Sequence, residues 1–418
     1  MRMKFNKPSQ LSLVAAGSLL VATMLTACQT LTVDFVFVTS AKAAGTNNYG
    51  VVDVFEINSE SGQMRQIPTS PFPSGGRNPV AEAVSSDNTN LFVVDRDDNT
   101  IVQFLIGNDG KVYPQNTTNT PGIFPMAVAV SGTNLFVADT YQPLPTCSPA
   151  DPCSGSVAVF PISAPITSDI GTKGAELLTS PLANGNLSYW PLNLPGKPKD
   201  VIVPTAINAL KSGSFVYVSA YDASVTPNVG YVFGFAVGSG GTLTPLNEGV
   251  PFLAGTHPSG MASDGMSSYL YVTDSATSSV LGYSVGSGPL TPLAGSPYQA
   301  GASPSSVVVD PTYPYVYVAN AEDSSVTEYS MSNGALTSIG TMSTGLQPVA
   351  IGIDPSTNRF LFTVNFLGSS VNGTISGFEL NTSSGDLLVS KHSPYKSDPI
   401  PTAVAAIPHN GTGAGIAK

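Results

Sequence analysis

A short segment that recurs along this chain constrains its fold more than any other feature. A typical copy begins with a proline, continues as an apolar strand, turns, and ends in a second strand closed by Asp or Asn. The copy at Pro204 has Ala220 at the closing position, and the last copy, residues 401–407, has the first strand only. The clearest copy is residues 303–320, SPSSVVVDPTYPYVYVAN. Its three consecutive valines suit a strand buried on both faces, and Asp310-Pro311 breaks the run because proline fixes φ and lacks an N–H. Residues 315–319 are β-branched and aromatic, as strands prefer.

The repeat prolines set the period of the chain. They lie at positions 79, 125, 204, 258, 304, 348 and 401, so successive copies start 46, 79, 54, 46, 44 and 53 residues apart. Each full copy is followed by two further strand-like stretches, which gives four strands per repeat. After Asp95, for example, these two stretches are separated by Asn108-Asp109-Gly110, a good hairpin turn. Periods in the forties with four antiparallel strands are typical of propeller blades.

The repeats therefore predict an all-β fold, a seven-bladed β-propeller with four antiparallel strands per blade. Six blades are complete in the chain. The seventh takes its first strand from residues 401–407 and its other three from residues 33–67, so the C-terminal strand joins the N-terminal blade and closes the ring. We expect the propeller to span residues 33–408, with an insertion at about 141–200 and a flexible tail at 409–418.

The first 27 residues have the pattern of a signal peptide. A positively charged start precedes a mostly apolar stretch at residues 11–25. Leu25-Thr26-Ala27-Cys28 then resembles the lipobox of bacterial lipoproteins, which implies lipidation of Cys28 and a tether at 28–32; an uncleaved anchor or an ordinary secretory signal is the alternative. The prediction is a lipid-anchored, extracytoplasmic protein of the bacterial cell envelope. Because Gln29 rather than Asp follows the cysteine, the outer membrane is expected in a Gram-negative cell.

Two cysteines remain besides Cys28. Cys147 and Cys153 flank the segment CSPADPC, which suits a small disulfide-closed loop in an oxidising compartment. A metal pair is the alternative, but no further Cys lies nearby and the three histidines are distant in sequence. We expect no metal and no cofactor. The formal net charge of −11, from 16 basic and 27 acidic residues, argues against nucleic acid as a partner, because phosphate binding needs clustered Lys and Arg.

The ends of the second strands carry a known family pattern. Tyr317-Val318-Ala319-Asn320, Tyr271-Val272-Thr273-Asp274 and Phe92-Val93-Val94-Asp95 look like the YVTN repeat, so the chain resembles the seven-bladed lactonase-like β-propellers. That family includes 6-phosphogluconolactonases, muconate-cyclising enzymes and many secreted members of no known activity. Its phosphogluconolactonase branch carries Pro-Arg-His at the start of a blade, and none of the seven repeat prolines here is followed by Arg-His. The resemblance thus implies the fold more strongly than the chemistry.

Propeller sites form at the mouth of the central channel, beside the start of each innermost strand. The residue before each repeat proline is therefore a candidate for ligand binding. These residues are Asn78, Phe124, Val203, His257, Ser303, Gln347 and Ile400, of which Asn78, Phe124, His257, Ser303 and Gln347 are the binding candidates. A lactonase needs an oxyanion stabiliser and a general base, roles that Arg77 and His257 would fill, with Glu82 of an innermost strand as an acid.

From the residues alone, the favoured function is a binding or scaffold module, a monomer whose partners are an envelope protein or a glycan. The alternative is a hydrolase that opens an uncharged, extracytoplasmic lactone at the channel mouth. Other conspicuous residues have structural interpretations. The Asp and Asn that end the second strands cap turns, Arg96-Asp97-Asp98 is an exposed charged turn, and Trp190 with Tyr189 is a plug rather than a carbohydrate-stacking platform.

Overall fold

The computed structural model describes residues 32–43, 49–163, 166–168, 171–173, 180–369 and 372–409. The predicted signal peptide, Cys28 and nearly all of the tether lie outside the described residues, as does the predicted tail after His409. Strands joined by loops make up the part of the chain described here, together with two 3-10 turns, Ser239–Gly241 and Asn247–Gly249. Within those ranges, no helix is long and apolar enough to cross a membrane.

Seven antiparallel sheets form the blades of a ring, numbered here from the blade that holds the N-terminal strand. The innermost strand of each blade contacts the innermost strands of both neighbouring blades. From the innermost strand outward, the blades are as follows: blade 1, Pro401–Pro408, Thr32–Ser40, Tyr49–Asn58, then Met64–Gln66 and Phe72–Arg77; blade 2, Pro79–Val84, Asn90–Asp95, Thr100–Ile106, Val112–Asn119; blade 3, Ile123–Ser131, Asn134–Tyr141, Ser156–Pro161, Trp190–Pro191; blade 4, Ile202–Ala209, Phe215–Asp222, Val229–Val237, then Leu243–Pro245 and Phe252–Leu253; blade 5, Pro258–Ser263, Tyr269–Asp274, Ser279–Ser284, then Thr291–Pro292 and Tyr298–Gln299; blade 6, Pro304–Val309, Tyr315–Asn320, Ser325–Ser332, Ala335–Ser343; blade 7, Leu346–Ile353, Phe360–Ser369, Asn372–Leu380, then Leu387–Val389 and Tyr395–Lys396. A separate small hairpin joins Ile166–Ser168 to Gly171–Lys173.

The C-terminal strand closes the ring, which confirms the predicted seven-bladed propeller. Pro401–Pro408 pairs antiparallel with Thr32–Ser40, with Asp34 opposite Pro408 and Ser40 opposite Pro401. The outermost strand departs from the predicted four strands per blade in some blades. In blades 1, 4, 5 and 7, two short segments share the outermost position, and both pair with the third strand.

The hydrophobic core consists of seven clusters, one at each junction between neighbouring blades. Side chains alternate between the two faces of a strand, so each second strand contributes to two clusters. In Tyr315–Asn320, Val316 and Val318 pack toward blade 5, whereas Tyr317 and Ala319 pack toward blade 7. The Tyr317 hydroxyl also donates a hydrogen bond to the Gly385 carbonyl of blade 7, at 2.9 Å. The second strands are therefore apolar throughout because they face a neighbouring blade on both sides.

Every innermost strand begins in the same irregular way. The repeat prolines are buried, and the pairing register with the second strand shifts immediately after each of them, as at a β-bulge. In five blades the residue before the proline has a left-handed φ of 52° to 58°; these residues are Asn78, Phe124, Ser303, Gln347 and Ile400. Since the first two strands are antiparallel, these residues lie beside the ends of the second strands. We call this side of the ring the upper face.

Candidate functional site

The Asp and Asn residues that end the second strands are buried and hold the loop that leads into the same blade. Asp274 accepts hydrogen bonds from the backbone N–H groups of Thr256 and His257, at 2.6 and 3.0 Å. In five blades, the glycine three residues before the repeat proline packs against the Asp or Asn that ends the second strand. A Cβ added to this glycine would lie less than 3 Å from that side chain; the glycines are Gly76, Gly122, Gly255, Gly301 and Gly345. These carboxyl and amide groups therefore support the fold of the upper face, in line with the structural interpretation made from the sequence.

Arg77 lies on the upper face and is held by an acidic neighbour. Its Nε donates to Asp98 Oδ1 at 2.6 Å, and its backbone N–H donates to Asp98 Oδ2 at 2.8 Å. The side-chain hydrogen bond that Arg77 donates to Asp98 is the main cause that raises the pKa of Arg77. Asn78 donates in turn from Nδ2 to Asp97 Oδ1 at 3.3 Å. These contacts join the loop before blade 2 to the charged turn of that blade.

A row of aromatic and basic side chains crosses blades 2 to 5 on the upper face; it consists of Arg96, Phe124, Tyr141, Tyr221 and His257, and we call it the upper arc. The Arg96 guanidinium carbon lies 4.5 Å from the centre of the Phe124 ring. The centres of the Phe124 and Tyr141 rings are 6.2 Å apart. Tyr221 stacks on His257, with ring centres 4.2 Å apart and planes inclined by 29°.

Tyr141 and Tyr221 lie close enough for the charge of one to influence the other. Burial, followed by the charge that Tyr141 would carry, raises the pKa of Tyr221 above its ordinary value. The phenol of Tyr221 therefore keeps its proton at neutral pH and can act as a hydrogen-bond donor.

His257 is oriented by its neighbours so that one ring nitrogen is a base. The hydroxyl of Ser275 lies 3.2 Å from His257 Nδ1 and 3.1 Å from the His257 carbonyl oxygen. A hydroxyl has one proton and the carbonyl can only accept, so when Ser275 donates to the carbonyl its oxygen accepts from Nδ1–H. The lone pair is then on Nε2, for which the described residues provide no hydrogen-bond partner. A neutral imidazole in this tautomer is suited to general-base chemistry.

Glu82 is the single charged residue within the bounds of the seven innermost strands as described. The equivalent positions, three residues after the other repeat prolines, are all apolar: Val128, Ile207, Met261, Val307, Ile351 and Val404. Glu82 Oε2 accepts hydrogen bonds from the Thr39 hydroxyl and the Ala405 backbone N–H, whereas Oε1 is buried without a partner among the described residues. Burial raises the pKa of Glu82 to about 7, a value suited to holding or releasing a proton at neutral pH.

The three catalytic candidates from the sequence occupy two parts of the ring. Arg77 and Glu82 lie where blades 1 and 2 meet, and His257 leads into blade 5, three blades further round. Each has different bonding partners within the described ranges. Whether they act together in catalysis therefore stays a prediction.

The binding candidates are distributed over the same face. Phe124 and His257 belong to the upper arc, Asn78 is bonded to the charged turn of blade 2, and Ser303 and Gln347 precede the innermost strands of blades 6 and 7.

Sequence reasoning missed three members of the arc. Arg96 was interpreted only as part of an exposed turn, although it also covers an aromatic ring. Tyr141 was placed at the start of the predicted insertion, and Tyr221 was not singled out. Their sequence signal was an aromatic residue one or two positions after the capping position of blades 3 and 4.

The insertion in blade 3 is fixed against the ring. Cys147 and Cys153 form the predicted disulfide, with Cα atoms 5.5 Å apart. Trp190 and Tyr189 are only 4% and 5% exposed, and Trp190 Nε1 donates to the Leu243 carbonyl at 2.8 Å. Neither ring presents a free face, so the pair is a plug rather than a platform for stacking sugars.

Comparison with known proteins shows which solved structures and which protein family the chain is similar to. No curated protein sequence matches the chain. A Bacteroides fragilis structure titled as a candidate 6-phosphogluconolactonase superposes with a TM-score of 0.64 at 17% identity, covering 91% of this chain and 99% of that one. The periplasmic gluconolactonase of Pseudomonas aeruginosa gives 0.63 at 16% identity, covering 90% and 99%. Such identities show a shared fold alone.

The family "Lactonase, 7-bladed beta-propeller" matches residues 48–164 and 232–404, which is more than half of the chain. This match agrees with the repeats, the ring closure and the YVTN-like strand ends. The chain therefore belongs to the lactonase family of seven-bladed β-propellers.

Proposed function

We propose that this protein is a hydrolase that opens a lactone at the upper face of the propeller. The upper arc is the observation that carries the proposal. It combines an imidazole with a basic Nε2, a phenol that stays protonated and a guanidinium, and it does so in a chain of the lactonase family. These are the groups that acyl transfer to water requires: a base for the water and donors for the developing oxyanion.

The reaction assigns one role to each group. His257 Nε2 takes a proton from water as the water oxygen bonds to the lactone carbonyl carbon. The negative charge that develops on the carbonyl oxygen is stabilised by a hydrogen bond from the Tyr221 hydroxyl, whose ring stacks on His257. When the tetrahedral intermediate collapses, the bond to the ring oxygen breaks, the imidazolium returns its proton to that oxygen, and a hydroxy acid is formed.

Family membership supports this hydrolase over the binding or scaffold module that the residues alone favoured. An extracytoplasmic location, predicted from the signal peptide, agrees with the periplasmic gluconolactonase that shares this fold. The lipid anchor at Cys28, the monomeric state and a protein or glycan partner stay predictions from the sequence. An extracytoplasmic enzyme would meet uncharged lactones rather than cytosolic phosphosugars.

A panel of lactones incubated with the purified protein tests the proposal. Acid release is measured for wild type, Arg96→Ala and Tyr221→Phe, and the latter keeps the ring that stacks on His257 while removing the hydroxyl. Loss of the oxyanion donor in Tyr221→Phe lowers kcat by about 10²–10³-fold, whereas Arg96→Ala tests whether the guanidinium at the other end of the arc contributes to substrate binding. Arg65→Ala is the matched control, because Arg65 pairs with Glu56 on an outer strand of blade 1. Hydrolysis of no lactone by wild type, or equal rates in all four proteins, would contradict the proposal.

A further inference from the structure

The upper face also has an apolar side, on the loops of blades 7 and 1. Four large side chains are unusually exposed there; they are Tyr49 at 58%, Leu346 at 56%, Leu367 at 47% and Ile400 at 38%. We call this group the apolar rim. Apolar residues exposed singly are normal, but a group on one face marks an interaction site.

The strand ends that carry the rim residues lie on the same face of blades 7 and 1. Leu346 and Leu367 are opposite each other in the pairing of the first two strands of blade 7. In blade 1, the Ile400 carbonyl accepts a hydrogen bond from Ala41 N–H at 2.8 Å, and the Tyr49 carbonyl accepts one from Ala43 N–H at 3.2 Å. The innermost strands of blades 7 and 1 contact each other, so the rim residues lie on two adjacent blades of the upper face.

Ile400 has a backbone conformation that its side chain disfavours. Its φ is 58°, in the left-handed region that β-branched residues rarely adopt. The equivalent residue of blade 2 is Asn78, which has nearly the same φ of 54° and belongs to a residue type that tolerates it. Because Ile400 is exposed, core packing does not explain why an isoleucine occupies this position.

The membrane is a poor occupant for the rim. The strand Thr32–Ser40 begins at the opposite face of the ring, because Asp34 pairs with Pro408 at the end of the innermost strand. Cys28 is four positions along the chain from Thr32, a distance of at most about 14 Å for an extended chain. With the predicted anchor, the lower face is therefore held toward the membrane and the rim faces away from it.

We propose that the apolar rim binds a hydrocarbon substituent of the lactone whose ring is opened at the upper arc. This inference rests on the proposed function. The rim and the arc share one face of the ring, so a substrate extending across the channel mouth contacts both. Four half-exposed side chains offer much less than the ~800 Å² per partner of a stable protein interface, but enough to cover an alkyl chain.

A series of γ-lactones with alkyl chains of increasing length tests the inference. In wild type, kcat/KM is expected to rise about two- to fourfold for each added methylene, the upper value corresponding to full burial, until the chain outgrows the rim. Ile400→Asn and Leu346→Ser should flatten this dependence. Leu253→Ser is the matched control, because Leu253 is 69% exposed on an outer strand of blade 4, and it should keep the wild-type dependence.

A second readout separates loss of recognition from loss of folding. Asn accepts a left-handed φ better than Ile, so Ile400→Asn should raise Tm while it weakens the chain-length dependence. Turnover by wild type without chain-length dependence, or an unchanged dependence in Ile400→Asn, would overturn the rim proposal and leave the proposed function standing. Hydrolysis of no lactone in the series would overturn both. A dimer in light scattering that Ile400→Asn dissociates would assign the rim to a second copy and overturn the proposal.

Discussion

Replacing Glu82 by Gln removes the charge from the inner wall of the propeller and nearly preserves the shape of the side chain. The wild-type carboxylate receives two hydrogen bonds on Oε2, while the buried Oε1 has no partner among the described residues. An ionised carboxylate in this position is under-solvated, and its pKa is accordingly raised from 4.5 to about 7.

This pKa sets both the magnitude and the sign of the pH-dependent change in the free energy of unfolding. One pKa unit corresponds to about 1.4 kcal/mol, so the full shift is at most ~3.5 kcal/mol, and partial exposure of the side chain reduces it to about 2 kcal/mol. Between pH 4.5 and about 7 the folded state binds more protons at Glu82 than the unfolded state does. Stability therefore falls as pH rises through this window, and the whole penalty is present above it.

Thermal unfolding of both proteins from pH 5 to pH 8.5 measures the effect. We expect Glu82→Gln to gain about 2 kcal/mol relative to wild type between these limits, or about 2–4 °C in Tm for a domain of this size. The Gln amide leaves a donor without a partner, which adds a constant offset, so the informative quantity is the pH dependence of the difference. The other buried carboxyls titrate in both proteins and cancel.

Glu60→Gln is the control, because Glu60 is exposed in a turn of blade 1 and should give no pH-dependent difference. A Glu82→Gln difference that is constant from pH 5 to pH 8.5, or that favours wild type increasingly at high pH, would refute the reasoning.

Three further changes have clear expected outcomes. Gly301→Ala places a Cβ 2.7 Å from the Asn320 side chain and should destabilise the propeller by more than ~1 kcal/mol in denaturant unfolding; an unchanged midpoint would contradict the tight contact. Replacing both Cys147 and Cys153 by Ser opens a loop of sequence separation 6 and should lower the free energy of unfolding by roughly 2 kcal/mol. The loss should appear as faster proteolysis near the insertion, and an unchanged rate would show that the disulfide is dispensable. Cys28→Ser should release the protein from the membrane fraction; unchanged fractionation and processing would exclude the lipid anchor.

The fold was predictable from the sequence because a propeller repeats one local unit. Strand, turn and strand follow the repeat proline at nearly constant spacing, and the ring closes once seven copies are counted. The split outermost strands were not predicted, because segments of two or three residues, such as Tyr298–Gln299, are too short to show a period. The Gly-x-x-Pro spacing is visible in the sequence. Its structural role is not, because it depends on the Asp or Asn side chain that packs against the glycine in the folded blade.

Only part of the upper arc was anticipated from the sequence. The position before the proline drew attention to Phe124 and His257, since every innermost strand starts on the upper face, and their role in binding or catalysis stays a prediction. The arc joins residues of four blades, and which side chains become neighbours depends on the stacking of blades around the ring rather than on any spacing along the chain. For the same reason the sequence could not indicate that Asp98 engages Arg77 while Arg96 covers Phe124.

The most direct test of the central claim is the kcat/KM of lactone hydrolysis for His257→Ala against wild type. His409→Ala is the matched control, because His409 packs against Phe35 at the opposite face of the ring. Loss of a general base predicts a decrease of about 10²–10⁴-fold for His257→Ala, with His409→Ala close to wild type. Equal rates in wild type and His257→Ala would contradict the assignment of the upper arc as the site of lactone opening.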